Sequence, residues 1–333
     1  MSGVTDPIVL NDWHPVAKAD DLAVGDMVRV ELLDDAVVLW RSEDGLHAWH
    51  DRCPHRGAQL SLGEVRDGCK LICPYHGWQF DSSGQCIALP AHPDKQPSDR
   101  MHTRVYAVRE AYGIVWVCPG EPARELPVFH GVDDDYRLVI TGPYDVETSG
   151  PRAVENFLDL SHFPFVHRGY LGEEPYTEMD DYDVQLVDDE IQVSNATAFQ
   201  PRANVASTES VKVAYSYRVL RPLTVMLTKE PGAEGEKPSD LILLAIQPKT
   251  ETSIRAFFVM AMNYGFEQPD SYFQDFQDTI FLQDKAVLES QRPKCVPLDP
   301  TAELHQPADK SSNTYRRWLR DMGLRYGTVA AQR

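Results

Sequence analysis

Positive charge is what this 333-residue chain has least of: 32 Lys plus Arg stand against 51 Asp plus Glu, a formal net charge of −19 at pH 7. A protein that tracks a phosphate backbone normally carries a basic stripe, so this balance argues against a DNA or RNA binder. Long apolar runs are missing as well. The longest, such as residues 241–246, are strand-sized and far short of a bilayer span. The first ten residues show no basic segment leading into an apolar one, so no secretory leader is expected, and the expectation is a cytoplasmic protein without a membrane attachment. Cysteine is sparse: six residues in a chain of this size read as thiols or metal ligands rather than a disulfide framework. Cys69, Cys86, Cys118 and Cys295 show no partner pattern, whereas Cys53 and Cys73 do. Hydrophobic material is not short. With 42% apolar and 10% aromatic residues the chain supports ordinary cores, which excludes wholesale disorder, and its length favours about two domains.

The first third reads as strands. Residues 27–33 and 36–41 flank a turn at Asp34-Asp35, and residues 112–118 form another strand closed by Pro119-Gly120-Glu121-Pro122. A boundary there gives domains 1–120 and 121–333. Downstream, residues 153–163 and 271–292 have helical period, while 182–194, 211–220, 240–247 and 253–262 have strand character, an α+β pattern. Residues 230–239 are expected to form a mobile loop, and the last six or so residues to fray.

Cys53-Pro54-His55 is matched downstream by Cys73-Pro74-Tyr75-His76, with Gly57 and Gly77 just beyond each pair to allow tight chain reversal. Two loops that each present a thiolate and an imidazole suit either a closed tetrahedral zinc site or a [2Fe–2S] cluster with sulfur on one iron and nitrogen on the other. Zinc fingers usually keep their cysteines together and then their histidines, so the interleaved order favours the cluster. The matched format argues against accidental clustering. The strings CPHRGAQLSLGEV and CPYHGWQFDSSGQC resemble the Rieske loops of ring-hydroxylating oxygenases. Respiratory Rieske proteins carry an extra cysteine in each loop; Ala58 and Tyr75 stand in those places, so the resemblance is to the oxygenase type.

A second constellation lies in the segment ENFLDLSHFPFVH. On a continuous helix Asn156, Asp159 and His162, three residues apart, share one face, and Pro164 would end or kink that helix so that His167 folds back towards His162. Two imidazoles with one carboxylate from elsewhere make the facial triad of non-haem Fe(II). The plainer alternative is a helix end with two hydrogen-bonded histidines. The string D-x2-H-x4-H is similar to the catalytic-iron motif of Rieske oxygenases. For the third ligand, Asp284 shares a helical face with Ile280, Val287 and Leu288, where an ionised carboxylate is costly unless paired or metal-bound. The resembled family places its late aspartate in a similar D-x4-E-x-Q helix. Asp278 and Glu289 compete for the role.

The resemblance is to the α-only oxygenases, a group with vanillate, methylxanthine and dicamba demethylases; SHFPFVHRGYLGEEPYT and TYRRWLRDMGLRYG are most similar to saxitoxin-pathway hydroxylases. It implies an antiparallel β Rieske domain plus a catalytic domain with a curved antiparallel sheet flanked by helices. It also implies a [2Fe–2S] cluster on Cys53, His55, Cys73 and His76, and mononuclear Fe(II) on His162, His167 and Asp284. The implied activity is O2-dependent hydroxylation, dioxygenation or N-/O-demethylation of a small aromatic or alkaloid-like substrate. Electrons would come from an NAD(P)H-dependent reductase, a ferredoxin or both. A head-to-tail homotrimer would let Asp159 bridge its own His162 to His55 or His76 of a neighbour, and Asn156 would position water, oxygen or a ligand side chain. Arg52, Arg56, Arg66 and Lys70 cluster around the ligand loops as a docking patch for an acidic partner. Phe199, Met226, Phe258, Met260 and Met262 are candidates for an apolar substrate cavity, and Asn263, Gln247 and Arg202 for its polar contacts. Two other readings remain at this level: a Rieske electron carrier without oxygenase chemistry, and a zinc-stabilised interaction module.

Overall fold

Strand-forming runs joined by two-residue turns make hairpins, and three such turns organise the computed structural model, which describes residues 3–202, 210–230 and 240–330. They are Leu33-Asp34 (φ 51° and 62°), Tyr112-Gly113 (58° and 71°) and Asp188-Asp189 (49° and 65°). Paired positive φ values match the twist of the flanking strands, and Asp, Asn and Gly adopt them most readily. Three expectations shift as a result. The first turn sits on Leu33-Asp34 rather than Asp34-Asp35, and residues 112 and 113 are turn rather than strand. Residues 182–194 are two strands, not one.

The chain divides into two units, Met1–Glu125 and Leu126–Arg333. The division falls just past the Pro119–Pro122 turn because that stretch is tied back: Ala123 N donates to Asn11 O (2.9 Å) and Trp13 Nε1 to Arg124 O (2.9 Å). The first unit opens with the short helix α1 (Pro7–Leu10). Its larger sheet contains β1 (His14–Lys18), β2 (Met27–Leu32), β3 (Asp35–Ser42) and β4 (Gly45–His50), with β9 (Val105–Ala111) and β10 (Ile114–Cys118). These run antiparallel in the order β1-β10-β9-β4-β3-β2. A smaller antiparallel sheet is made by β5 (Glu64–Arg66), β6 (Lys70–Ile72), β7 (Gln79–Phe80) and β8 (Cys86–Ala88). Trp40, Trp49, Leu71 and Phe80 fill the core around Cys53 and Cys73, with Trp40 and Trp49 edge to face at 4.9 Å.

In the second unit a seven-stranded antiparallel sheet comprises β11 (Arg137–Val146), β12 (Asp183–Val187), β13 (Glu190–Gln200), β14 (Val211–Arg221), β15 (Thr224–Lys229), β16 (Asp240–Thr250) and β17 (Ser253–Met262). Its order is β11-β17-β16-β15-β14-β13-β12. Helices α2 (Gly150–Phe157), α3 (Phe163–Val166), α4 (Asp270–Ser290) and α5 (Lys310–Met322) complete it. Helix α4 buries Phe273, Gln277, Ile280, Phe281, Asp284 and Leu288, a stripe with helical period. Val287 lies off that stripe and is 39% exposed, contrary to its expected place beside Asp284.

The expected helix over 153–163 is also not continuous. Helix α2 starts earlier, capped by Ser149, whose Oγ accepts from Arg152 N, and it stops at Phe157. The Asp159 carboxylate accepts from Ser161 N and Ser161 Oγ (both 2.7 Å), a local bond that competes with helix propagation. Pro164 then sits in the first turn of α3, where its missing N–H costs nothing. Pro164 therefore begins a helix instead of ending one. Of the expected mobile loop only Glu230 lies within the described residues, its N–H donating to Ala214 O; residues 231–239 lie outside them, as do 331–333 of the expected frayed end. Thr328 and Val329, expected within the frayed end, are instead held by parallel pairing with Val296–Pro297. Among the described residues no helix is long and apolar enough to cross a membrane.

Candidate metal centres

The first candidate centre is built from two loops with the same backbone. In each, the cysteine N–H donates to the carbonyl five residues on: Cys53 to Ala58 and Cys73 to Trp78, both 2.8 Å. A glycine N–H then donates back to the cysteine carbonyl, from Gly57 at 2.9 Å and from Gly77 at 3.0 Å. Both glycines hold φ near 70° (74° and 68°), and a Cβ on Gly77 would come 3.2 Å from Pro90 Cγ. The loops bury Cys53 and Cys73, leaving His55 half-buried and His76 exposed. His55 Nδ1 and His76 Nδ1 lie 3.1 Å apart, and the His55 ring stacks on Trp78 at 4.4 Å.

The Cys53 thiol hydrogen-bonds Cys73, which holds the Cys73 pKa down at about 6 and drives that of Cys53 up. One thiolate is therefore already favoured at neutral pH. Buried sulfurs on one side and converging imidazole nitrogens on the other fit a cluster with two sulfur and two nitrogen ligands. The expected docking patch is narrower than the sequence suggests. Arg66 pairs with Glu64 and Lys70 with Asp67, which leaves Arg52 and Arg56 exposed beside His55, in a cleft with Arg104.

The second candidate centre gathers three residues from two distant segments. His162 and His167 come from the turn before α3 and its end, and Asp284 from α4. His162 Nε2 and His167 Nε2 are 3.1 Å apart, and each lies near Asp284 Oδ1, at 3.3 and 3.2 Å. Adjacent corners of an octahedron with metal–ligand bonds of about 2.1 Å lie about 3 Å apart, so the three atoms fit one face of such a site. Burial alone would lower the His162 pKa, but hydrogen bonds to Asp159 and Asp284 outweigh it and raise the value to about 9. Burial likewise opposes ionisation of Asp284, yet His162 and His167 hold its pKa down at about 2. The field that retains a proton here is one that welcomes a cation.

Each ligand candidate is oriented by a partner. Asp159 Oδ2 accepts from His162 Nδ1 (3.2 Å), and Gln283 Oε1 accepts from His167 Nδ1 (2.8 Å), so both Nε2 atoms are turned to the centre. Asn156, in the last turn of α2, donates to Asp284 Oδ1 at 3.2 Å. The competing carboxylates are engaged elsewhere: Asp278 accepts from Tyr144 Oη (2.5 Å) and Glu289 from Glu147 N (3.1 Å). Gln283 escaped the sequence reading because nothing in its spacing marks a residue beside a ligand as the partner of a histidine more than a hundred positions away.

An apolar pocket opens from this centre between the sheet and α4. Phe258 and Met260 line it as expected, whereas Phe199, Met226, Met262, Asn263, Gln247 and Arg202 do not. Period-two alternation explains two of these. Leu227 and Leu244 face the pocket, so Met226 and Gln247, an odd number of strand residues away, face the other side. Phe199 instead stacks on Tyr176 at 4.1 Å. Tyr215, Lys229, Asp240, Tyr264 and Gln277 line the pocket and were not anticipated.

Comparisons with known proteins agree with this geometry. Residues 12–107 match the Rieske [2Fe-2S] domain family, and residues 146–325 match the vanillate O-demethylase oxygenase C-terminal domain family. The methylxanthine N1-demethylase NdmA of Pseudomonas putida is 32% identical over 324 residues, covering 93% of this chain and 88% of that one. The oxygenase component of dicamba O-demethylase from Stenotrophomonas maltophilia is 30% identical over 302 residues, 85% of this chain and 87% of the relative. The structure of Pseudomonas putida NdmA with caffeine superposes with a TM-score of 0.81 at 28% identity, covering 95% of this chain and 91% of that one.

Proposed function

Because this chain belongs to the family of Rieske oxygenases with a vanillate O-demethylase-type C-terminal domain, we propose that it oxidises a methyl group of a small aromatic or alkaloid-like substrate. It is a terminal oxygenase component, and its cofactors are a Rieske [2Fe–2S] cluster and a mononuclear iron. In this reading the unit ending at Glu125 carries electrons and the unit beginning at Leu126 performs the oxidation. Cys53, His55, Cys73 and His76 hold the cluster, and His162, His167 and Asp284 hold the iron. When bound, the cluster supplies single electrons and the iron activates O2, so that an N- or O-methyl carbon becomes a hydroxymethyl group that leaves as formaldehyde. Ring hydroxylation or dioxygenation would draw on the same site; the names of the relatives favour the methyl carbon.

The chain's own residues set the stage. Asp159 and Gln283 keep protons on the two Nδ1 atoms, so both Nε2 lone pairs face the centre. Asn156 fixes one oxygen of Asp284. Phe157, Phe258 and Phe281 pack edge to face around the pocket and give it an apolar wall that disfavours water.

Asp159 also lines a surface cleft with Val287 and the fully exposed Leu304. That position supports a homotrimer in which His55 or His76 of a neighbouring copy hydrogen-bonds Asp159 and passes electrons to His162. Arg52 and Arg56 support docking of an acidic ferredoxin or reductase domain, and electron transfer from it should slow steeply with salt. The observation that carries the proposal is the triangle of Nε2, Nε2 and Oδ1 atoms at 3.1, 3.2 and 3.3 Å beside an apolar pocket. Iron analysis should give about three atoms per chain, one cluster plus one ion. With a reductase, NADH and O2, a turned-over substrate should release formaldehyde in step with oxygen uptake. Two iron atoms per chain would leave an electron carrier.

A further inference from the structure

The pocket has a charged far end. Strand β16 turns Asp240, Ile242 and Leu244 into it at alternate positions, and the neighbouring strands extend these positions into rows. One row runs Tyr217, Leu227, Ile242, Met260 and is apolar apart from the phenol; the next, towards the iron candidates, pairs Val225 and Leu244 with Phe258. The row at the other end holds Tyr215 opposite Lys229, and Asp240 opposite Met262. Asp240 is 4% exposed, and Tyr264 Oη donates to its Oδ1 at 2.6 Å. Tyr264 packs on Phe273 near the start of α4, whereas Phe281, one turn before Asp284, packs on Phe258. The buried carboxylate and the metal candidates therefore occupy opposite ends of one slot. The strand interval from Asp240 to Leu244 is about 13 Å, and the helical interval from Gln277 to Asp284 is about 10 Å.

We propose that Asp240 determines substrate class: it accepts a hydrogen bond from an N–H group at the end of the substrate remote from the methyl carbon being oxidised. The substrates are nitrogen heterocycles or amines of one or two fused rings, and benzoate-type carboxylates are rejected. This rests on the oxygenase reading above and names the substrates of the same site. A buried carboxylate offers about four acceptor positions and no donor, so it rewards an N–H and repels a second carboxylate in a low-dielectric wall. Lys229 in the same row does not reverse the preference. It is only half-buried, so its charge is screened by water, whereas Asp240 is buried and held by Tyr264.

The test is calorimetric binding to the iron-replete holoenzyme of theobromine and theophylline (each with an N–H), caffeine (none) and vanillate (a carboxylate). At least one N–H base should bind about tenfold or more tighter than caffeine, as one bond to a charged acceptor requires. Vanillate should bind weakest. Asp240→Leu should erase the difference between that base and caffeine, and Asp240→Asn should improve vanillate binding several-fold. Tyr264→Phe should weaken the N–H base by a smaller factor. Vanillate binding as tightly as the best base, failure of both N–H bases to bind, or an unchanged preference in Asp240→Leu overturns the proposal. Iron content and the cluster absorbance of each sample report separately on the oxygenase reading: if they are intact, only the substrate assignment has failed.

Discussion

The two candidate centres are positioned by different means. Around Cys53 and Cys73 the backbone does the work: two loops repeat one hydrogen-bond pattern, and each needs a glycine in the left-handed region. Around His162, His167 and Asp284 side chains do it, with Asp159, Gln283 and Asn156 each holding one ligand candidate. The first leaves its imidazoles towards solvent, while in the second His167 is 1% exposed and Asp284 8%. A centre that exchanges electrons with another protein needs an open edge. A centre that activates O2 needs a dry one, and burying it requires every polar group to find a partner.

Substitutions separate the two modes of support. The largest effect belongs to Asp284→Ala, which should remove the mononuclear iron and abolish turnover while leaving cluster absorbance intact. Iron should fall from about three to about two per chain; full iron retention would contradict the ligand assignment. Next, Asp159→Asn should keep both kinds of iron but lower coupled turnover about 10–100-fold, read as product formed per electron supplied. Gln283→Leu should weaken binding of the mononuclear iron about tenfold, measured by chelator competition, because His167 loses the acceptor on its Nδ1. The smallest effect is expected from Gly77→Ala. Its strained φ and the contact with Pro90 should lower the temperature of cluster bleaching by roughly 2–4 °C without touching the second centre. Equal sensitivity of both centres to Gln283→Leu and Gly77→Ala would erase the distinction between backbone-held and side-chain-held sites.

The same distinction governs what could be read from sequence. The convergence of Cys53, His55, Cys73 and His76 was legible because each Cys–His pair and its glycine lie within a few residues of one another. The pairing of His162 with His167 was legible too, but its mechanism was misread. A shared helical face was expected for Asn156, Asp159 and His162, yet the helix stops at Phe157 because the Asp159 carboxylate captures Ser161. Asp284 stood out as a carboxylate on an apolar helix stripe, while Val287, expected on that stripe, lies outside it. Hairpin positions slipped by one or two residues because Leu33 and Tyr112 adopt positive φ, which their side chains do not advertise. The pocket was least legible. Its walls come from four strands and three helices, and only the strand register decides that Asp240 faces inward while Gln247 faces away.

Electron transfer between subunits through Asp159 is tested most directly by complementation. Cys73→Ser chains (no cluster) and Asp284→Ala chains (no mononuclear iron), expected to be inactive alone, are co-expressed with different affinity tags, and the mixed assemblies of the proposed homotrimer are isolated with both. If the cluster of one chain serves the iron of the next, each mixed trimer retains one productive contact of three and roughly one third of wild-type turnover. Mixed trimers with no turnover would place the electron path within a single chain.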